Sequence, residues 1–378
     1  MTIKRIAIIA PLLDPRDGRL LKQRASLRAA GFVVEAFAPD PGRAPFMADA
    51  HPVPWAGVLA PLTRAPGRLG LWLRFALKTV AMRRAVARFA PDLLLVSEPE
   101  SLRWAAAIRR QVGAAVIYDA HEYYEDETPG DSARGRWVAR THARYADVLA
   151  GFVTVGPAIA RLYAAAQPAF PPAVVVMNAA QAAPPPSYDG RLHRRAGLPA
   201  DARILLFHGA MSEHRGLRPL VDAAERLPPG WWLVMLGDGV LRRELEARAG
   251  DRVRFVSPVP HDELPLWISG AALGSILYET GSANQLNALP NKLWEYPAAG
   301  VPVLASALPE IVALTRDAGF VDFVPPDVDS TVIADAVRTA AAHPEAARRA
   351  AARAFAADHG WDREAEKLVT LMRVLSEA

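Results

Sequence analysis

A lysine and a glutamate stand three residues apart in the segment PNKLWEYPAAGVP, residues 290–302. A proline–asparagine turn opens the segment, a short helical pattern carries Lys292 and Glu295, and Gly300 is a helix C-cap directly before a buried-strand pattern. A loop that brings charged side chains to a helix N-terminus beside a central strand is typical of phosphate-binding sites in open α/β sheets. The segment therefore predicts a site for a phosphorylated ligand.

A second candidate cation precedes another predicted helix. The strand pattern over residues 203–207 ends in HGAMSEHRGL, and Arg215 lies just before the helix that begins at Leu217. An arginine there can bind a phosphate together with the free backbone N–H groups of the helix. The alternative is a helix-start arginine without a ligand. His208 and His214 flank the same turn, and each alone is more often a bystander than a catalyst.

Titratable side chains also follow a strand in the first half of the chain. Asp119, His121 and Glu122 come directly after the strand pattern of residues 115–118, at the carboxyl edge of the predicted sheet. A histidine at that edge can act as an acid or base or hydrogen-bond a sugar hydroxyl, and the alternative is a structural role. The acidic residues that follow are typical of a solvated loop face, so no metal site is expected. The absence of cysteine excludes a cysteine-based metal site.

These residues need a scaffold, and the order of patterns predicts one of parallel strands. Strand, helix and strand patterns over residues 5–10, 18–30 and 32–38 make a βαβ opening, and βα units recur through both halves. The first loop, PLLDPRDGR, is not GxGxxG, so no dinucleotide site is predicted, but Arg16 lies where a ligand would be reached. The alanine- and proline-rich stretch over residues 179–191 is the expected linker.

The length of the chain predicts two domains, because 378 residues are too many for one ordinary core. No uncharged window approaches the roughly 20 residues that a membrane span needs. The start of the sequence is typical of a first strand and not of a signal peptide. Near the other end, residues 331–357 predict an alanine-rich helix and residues 361–375 a final amphipathic helix.

The first half of the chain is basic. Residues 1–180 contain 23 lysines and arginines against 15 aspartates and glutamates, and no acidic residue lies between Asp49 and Asp92. Within this stretch, residues 68–89 predict a helix with an imperfect basic face. The basic residues between positions 64 and 88 can settle on anionic lipid, or they can form the solvated face of an ordinary covering helix. An arginine-rich composition explains the net charge equally well.

Four blocks resemble those of the retaining glycosyltransferases of family 4, which have the GT-B fold: YDAHEYYED, FHGAMSEHRGL, LGDGVLRREL and LPNKLWEYPAAGVPVLASALPEI. The resemblance runs in order over nearly the whole chain and is strongest over residues 205–311. It implies an α/β fold with two Rossmann-like domains facing across a cleft. Residues 1–180 would bind the acceptor and residues 181–360 the nucleotide sugar, and the helix of residues 361–378 would cross back to the first domain.

The resemblance also implies roles for individual residues. Glu295 matches the second acid of the E-x7-E motif, which hydrogen-bonds the ribose, Arg215 matches the basic residue that contacts the diphosphate, and Lys292 adds a cation. His121 falls where many members have a histidine that meets the transferred sugar. The expected catalytic residues are His121, Arg215 and Lys292, the expected donor-binding residues are Gly209, Arg215, Gly237, Asn287, Asn291, Lys292 and Glu295, and the expected acceptor-binding residues are Arg16, Asp119, His121 and Glu122.

Two positions depart from the family pattern. Asn287 stands where the first acid of E-x7-E is expected, and Ala210 follows Gly209 where the family has another basic residue. Asparagine can still hydrogen-bond sugar hydroxyls. The departures leave the identity of the donor sugar open.

The function implied is transfer of a sugar from a nucleoside-diphosphate sugar, with UDP or GDP as the nucleotide and no metal or other cofactor. The acceptor would be a glycan or a lipid-linked glycan in cell-surface polysaccharide or glycolipid synthesis. The expected location is the cytoplasm, including the inner face of the plasma membrane, and no nucleic acid partner is expected. Two alternatives remain: a sugar-nucleotide epimerase of the same fold, and a non-catalytic nucleotide-sugar-binding partner.

Overall fold

The computed structural model describes residues 4–11, 13–14, 17–39, 50–54, 67–127, 130–181 and 187–377, without the side chains of residues 67–69 and 71–72. The chain forms two compact units. The first unit comprises Met1–Val176 together with Glu364–Ala378, and the second comprises Met177–Arg363.

The first unit is built on a sheet of seven parallel strands in the order β3-β2-β1-β4-β5-β6-β7. Its strands are β1 (Arg5–Ile9), β2 (Val33–Pro39), β3 (His51–Val53), β4 (Leu93–Ser97), β5 (Ala115–Ala120), β6 (Leu149–Thr154) and β7 (Ala173–Val175). Its helices are α1 (Gly18–Ala29), α2 (Gly67–Phe89), α3 (Ser101–Val112), α4 (Ser132–Tyr145) and α5 (Pro157–Ala166).

The strand order of the first unit reverses between β1 and β4, and this reversal places its loops. Every residue of β1 from Ile6 to Ile9 is buried, so both faces of the sheet are covered, as the uninterrupted apolar run predicts. In open α/β sheets, ligands bind outside the carboxyl ends of the strands at such a switch point. The loops that follow β1 and β4, with the neighbouring loop after β5, are therefore where a ligand of this unit is expected.

The second unit repeats the architecture with six parallel strands in the order β10-β9-β8-β11-β12-β13. Its strands are β8 (Arg203–His208), β9 (Trp231–Leu236), β10 (Val253–Val256), β11 (Leu273–Ile276), β12 (Val303–Ser306) and β13 (Val321–Val324). Its helices are α6 (Arg191–Ala196), α7 (Leu217–Ala223), α8 (Arg242–Arg248), α9 (Leu264–Ile268), α10 (Ala283–Leu286), α11 (Lys292–Ala298), α12 (Pro309–Thr315), α13 (Ser330–Ala342) and α14 (Glu345–Asp358).

Alternate residues of β8 enter different apolar clusters. Ile204 and Leu206 belong to one cluster, and Leu205 and Phe207 belong to the other. Because successive side chains of a strand point to opposite faces, this sheet is also buried on both sides. The switch point lies between β8 and β11, so the loop of residues 209–216 and the loop after β11 flank the place where a ligand is expected.

The last helix, α15 (Trp361–Glu377), takes part in both units. The backbone N–H of Trp361 donates to the carbonyl of Ala180, 2.8 Å away, within the second unit. From Glu364 onward the helix belongs to the first unit, where Leu375 packs closely over Gly151. None of the helices in the described part of the chain is long and apolar enough to cross a bilayer.

The structure differs from the sequence prediction in several elements. Asp119 lies inside β5 and not after it, because the strand continues two residues beyond the predicted end at 118. Residues 331–357 form two helices and not one, since Pro344 stands at the N-cap of α14 and cannot continue the preceding helix. Strand β3 and helix α3 have no counterpart in the prediction.

Candidate functional site

Two glycines allow the loops after β8 and β9 to approach each other. Gly209 has φ +110° and Gly237 has φ +148°, both in the region that favours glycine. A Cβ atom on Gly237 would lie 2.0 Å from the carbonyl oxygen of Gly209, so no side chain fits there. The Gly209 N–H donates to the Leu236 carbonyl at 2.9 Å, which extends the pairing of the two strands into the turn.

Lys292 brings a buried ammonium group to this turn. It is the first residue of α11 and is 7% exposed, and a Cβ atom on Gly209 would lie 3.4 Å from its Nζ. Nζ lies 4.7 Å from the ring centroid of Phe207, a cation–π contact. Among the described residues no carboxylate oxygen lies within 4.0 Å of Nζ. The segment predicted to bind phosphate therefore delivers a cation to the strand switch.

The pKa of Lys292 is lowered to about 7. Burial is the largest cause, because it penalises the charged form, and the positive charge of Arg215 adds to it against the opposing effect of Glu295. An anion bound beside Nζ would favour the charged form of the lysine and so offset both effects. Lys292 is therefore suited to a ligand that carries negative charge.

Arg215 lies on the same loop with most of its guanidinium uncommitted. Its Nε donates to the Ser212 hydroxyl at 2.9 Å, and its guanidinium carbon lies 6.0 Å from the ring centroid of Tyr278, just past the end of β11. Within the described residues the two terminal nitrogens make no hydrogen bond. Arg215 thus contacts residues that follow β8 and β11, and its two terminal nitrogens can donate hydrogen bonds to a ligand.

His208 is a part of this site that the sequence prediction left as a bystander. Its Nε2 lies 3.6 Å from Oε2 of Glu295, and this nitrogen is buried without a hydrogen-bond partner in the described structure. Burial, then Lys292 and then His261, lowers the pKa of His208 well below its usual value. The nearby carboxylate does not offset burial at this distance, so the imidazole is neutral. The signal was in the sequence, because His208 ends β8 directly before the glycine turn.

Asn287 and Asn291 lie on the segment between α10 and α11. The Asn287 side chain caps α10, with Nδ2 donating to the Ala283 carbonyl at 2.8 Å. The Oδ1 atom of Asn291 accepts from Nδ2 of Asn178 at 2.8 Å. No described hydrogen bond joins either asparagine to Lys292 or Arg215, so the two asparagines border the cationic group without being bonded to it.

In the first unit, Asp119 is the centre of a buried polar network. It is 1% exposed, and Arg19 on α1 donates to both of its oxygens, from Nε at 3.0 Å and from Nη2 at 2.7 Å. Nε2 of Gln23, one turn further along α1, donates at 2.6 Å. Nη1 of Arg19 also donates to the Val176 carbonyl at 2.9 Å. Direct contact of Asp119 with an acceptor stays a prediction, and its burial favours a role through its neighbours.

His121 is the exposed end of this network. Its Nε2 lies 3.1 Å from Oδ2 of Asp119, and its side chain is 19% exposed. Burial alone would lower the pKa of His121, but Asp119 outweighs it and raises the pKa above its ordinary value. In turn, burial alone would raise the pKa of Asp119, and Arg19 and then His121 hold it far below its usual range.

Glu98, absent from the sequence prediction of the site, stands at the carboxyl end of β4. Its backbone has φ +64°, which is uncommon for a residue with a side chain and is associated with functional loops. The Tyr124 hydroxyl donates to Glu98 Oε1 at 2.9 Å, and burial raises the pKa of this carboxyl against the lowering effect of His121. The motif SEPES directly after an apolar strand was the signal that could have found it.

The other two predicted acceptor-binding residues are Arg16 and Glu122. Arg16 lies outside the described residues. Glu122 follows His121, and its backbone carbonyl accepts from the Tyr163 hydroxyl at 2.9 Å, which fixes the loop after β5 onto α5. Their contacts with an acceptor stay predictions.

Comparison with known proteins gives the family. The model described as "Glycosyl transferases group 1" matches residues 202–343, and the model described as "Glycosyl transferase 4-like domain" matches residues 19–179. The chain belongs to these glycosyltransferases. The D-inositol 3-phosphate glycosyltransferase of Xylanimonas cellulosilytica is 33% identical over 194 residues, which are 47% of this chain and 44% of that protein. The chain thus matches less than half the length of the curated relatives.

Solved structures share the whole glycosyltransferase fold at low identity. Sucrose-phosphate synthase from Thermosynechococcus elongatus has a TM-score of 0.78 and 19% identity, with 98% of this chain and 99% of that chain covered. The Anabaena protein HepE in complex with UDP has a TM-score of 0.73 and 14% identity, with 98% and 100% covered. The two parallel-sheet units of the chain therefore have the GT-B architecture that the resemblance implied.

Proposed function

We propose that the protein transfers a sugar from a nucleoside-diphosphate sugar to a glycan or lipid-linked acceptor. The observation that carries this proposal is the pair of cations, Lys292 and Arg215, beside Gly209 at the strand switch of the second unit. Both have donors that no described residue uses, so they offer charge to an anion. The HepE complexes with UDP and UDP-glucose support UDP as the diphosphate, and GDP is the other nucleotide that the sequence resemblance implies.

In the proposed reaction, the bond between the anomeric carbon and the diphosphate breaks, and the acceptor oxygen bonds to that carbon on the same face of the sugar. Lys292 and Arg215 stabilise the charge that develops on the leaving diphosphate, which is usually the largest contribution in such transfers. Glu295 accepts hydrogen bonds from the ribose hydroxyls. Retention of the configuration at the anomeric carbon is proposed from the family resemblance.

The remaining predicted residues are assigned either to the sugar donor or to the acceptor. Gly209 and Gly237 keep the turns free of side chains, and Asn287, with its Oδ1 outside any described hydrogen bond, is proposed to contact the donor sugar with Asn291 nearby. We propose that four residues serve the acceptor, as predicted from the sequence, with Asp119 acting through His121: Arg16, Asp119, His121 and Glu122.

The test is release of UDP or GDP from a panel of UDP- and GDP-sugars in the presence of glycan and lipid-linked acceptors. Arg215→Ala is expected to lower kcat by about 10²–10³-fold, as removal of one stabilising donor does elsewhere. Glu295→Ala is expected to raise KM for the donor. Arg338→Ala, at an exposed pair with Asp335 on α13, is the matched control and should leave the rate unchanged. Absence of release with every donor would refute the proposal, and an isomerised sugar nucleotide formed without acceptor would identify an epimerase.

A peripheral contact with anionic membrane is part of the proposal and would serve cell-surface polysaccharide or glycolipid synthesis. The support comes from α2, on which three arginines are exposed: Arg83, Arg84 and Arg88. Met82 and Val86 of the same helix are buried and lie on another face. Vesicles containing phosphatidylglycerol are expected to co-sediment the protein at low salt and to release it at high salt. The triple substitution Arg83→Glu, Arg84→Glu, Arg88→Glu should abolish co-sedimentation, and equal binding by this variant would contradict it.

A further inference from the structure

We propose that His121 acts as a positively charged hydrogen-bond donor and not as a base, and that Asp119 is the positioning residue that keeps it so. The inference rests on the proposed function, in which His121 meets a sugar. It goes beyond that function because it assigns a protonation state and a supporting residue to the histidine.

The hydrogen bonds around Asp119 place a hydrogen on Nε2 of His121. Four donors reach the carboxylate: Nε and Nη2 of Arg19, Nε2 of Gln23 and the imidazole Nε2 of His121. A carboxylate has about four acceptor positions, and the guanidinium and amide nitrogens can only donate. Three of these donors converge on Oδ2 and one reaches Oδ1, so Asp119 is an ionised acceptor. Nε2 of His121 must carry a hydrogen, because only a donor can approach this oxygen.

The charges that face His121 favour a second proton on the ring. Asp119 lies beside it on β5, Asp17 caps the start of α1, and Glu98 follows β4. Among the described residues that act on His121, Arg19 is the one cation. The charge of Arg19 is committed to Asp119 by two hydrogen bonds. Three carboxylates against one paired guanidinium give His121 an anionic surrounding, which agrees with its raised pKa.

The other ring nitrogen is the one left for a ligand. Nδ1 of His121 has no hydrogen-bond partner among the described residues, and the side chain is partly exposed. With Nε2–H held by Asp119, a protonated Nδ1 donates a charge-assisted hydrogen bond to an oxygen of the bound sugar. A ring in this state has no lone pair with which to take the proton of an acceptor hydroxyl.

The experiment is a pH titration of ¹⁵N-histidine-labelled protein by NMR, with the His121 signals assigned by their loss in His121→Gln. In the wild type, both ring nitrogens are expected to show the protonated shift at pH 7, with a midpoint above the ordinary pKa of about 6.5. Asp119→Asn should lower the midpoint. Glu35→Gln, which removes the carboxylate beside the exposed His51, is the matched control and should leave His121 unchanged.

A His121 midpoint below about 6.5 in the wild type, or a lone pair on Nε2 at neutral pH, would overturn the proposal. The wild-type result decides even where Asp119→Asn does not fold. In the transfer assay, Asp119→Asn is expected to lower kcat by about 10- to 100-fold, the usual effect of one hydrogen bond to a charged group, and to leave KM for the donor nearly unchanged. Protonated His121 without any sugar transfer would refute the proposed function alone, and transfer with a neutral His121 would refute this inference alone.

Discussion

At the scale of single residues, the proposed nucleotide site contains titratable groups whose surroundings are unfavourable until a ligand binds. Lys292 is buried near Arg215 without a described ion-pair partner, and His208 beside it is neutral with an unpartnered nitrogen. Such groups cost stability in the free protein and are typical of functional sites. The residue types were predictable from the sequence, because charged residues near the ends of buried strands indicate a ligand-binding edge of a parallel sheet. Their pKa values were not, since these depend on burial and on neighbours distant in the chain.

Binding of UDP is expected to weaken as the pH rises from 7 to 9. The pKa of Lys292 is lowered to about 7 in the free protein, and a bound diphosphate raises it, so binding takes up a proton. Folding has the opposite sign: the unfolded chain keeps the proton up to a pKa of about 10.4, so folding releases it above pH 7. The contribution of Lys292 to the stability of the free protein therefore rises with pH above 7.

Calorimetric titration of UDP in buffers of different ionisation enthalpy measures this proton uptake. The second ionisation of a phosphate lies near pH 6, so the range above pH 7 isolates the lysine. Lys292→Arg is the control, because arginine stays charged throughout and should bind UDP with little pH dependence. Equal pH dependence in both proteins would show that Lys292 is not the titrating group.

At the scale of elements, the loops at the carboxyl ends of parallel strands gather residues that are far apart in sequence. Arg19 and Asp119 are 100 positions apart and form a buried ion pair between α1 and β5. The βα rhythm predicted both elements, and the apolar patterns set their approximate bounds. The pairing itself was not predictable, because no local pattern states which side chain of α1 meets which strand.

Arg19→Met is expected to destabilise the first unit by about 3–5 kcal/mol, because it leaves the carboxylate of Asp119 buried without its main partner. The measurement is the urea midpoint of unfolding at neutral pH. Arg109→Ala, an exposed arginine on α3, should change stability by no more than about 0.5 kcal/mol. A loss for Arg19→Met no larger than that of the control would contradict the assigned pairing.

Gly237→Ala is expected to damage both stability and nucleotide binding. The new Cβ atom would lie 2.0 Å from the Gly209 carbonyl oxygen, so the turn that faces Lys292 must move. Gly230 also has a positive φ, of +80°, but a Cβ atom there meets nothing within 4 Å, so Gly230→Ala should cost only the backbone strain of about 1–2 kcal/mol. Thermal unfolding with and without UDP compares the two. Retention of the UDP-induced shift in Gly237→Ala would exclude this turn from the site.

At the scale of the whole molecule, the sequence predicted two α/β units, and the structure confirms two parallel sheets. The prediction succeeded because uninterrupted apolar runs of four to six residues between helical patterns identify strands buried on both faces. It could not give the strand order, which decides where the switch points lie. Placing β8 beside β11 shows why the turn at Gly209 and the segment at Lys292 belong to one site.

The central claim is that the β8–β11 switch holds the diphosphate of a sugar nucleotide. Its most direct test is calorimetric titration of UDP and GDP into the wild type, Arg215→Ala, Lys292→Met and the control Arg338→Ala. We expect at least one nucleotide to bind with a one-to-one stoichiometry. We also expect either site substitution to raise the Kd about tenfold or more, the usual loss for one hydrogen bond to a charged group, and the control to leave the Kd unchanged. Failure of both nucleotides to bind, or equal Kd values in all four proteins, would contradict it.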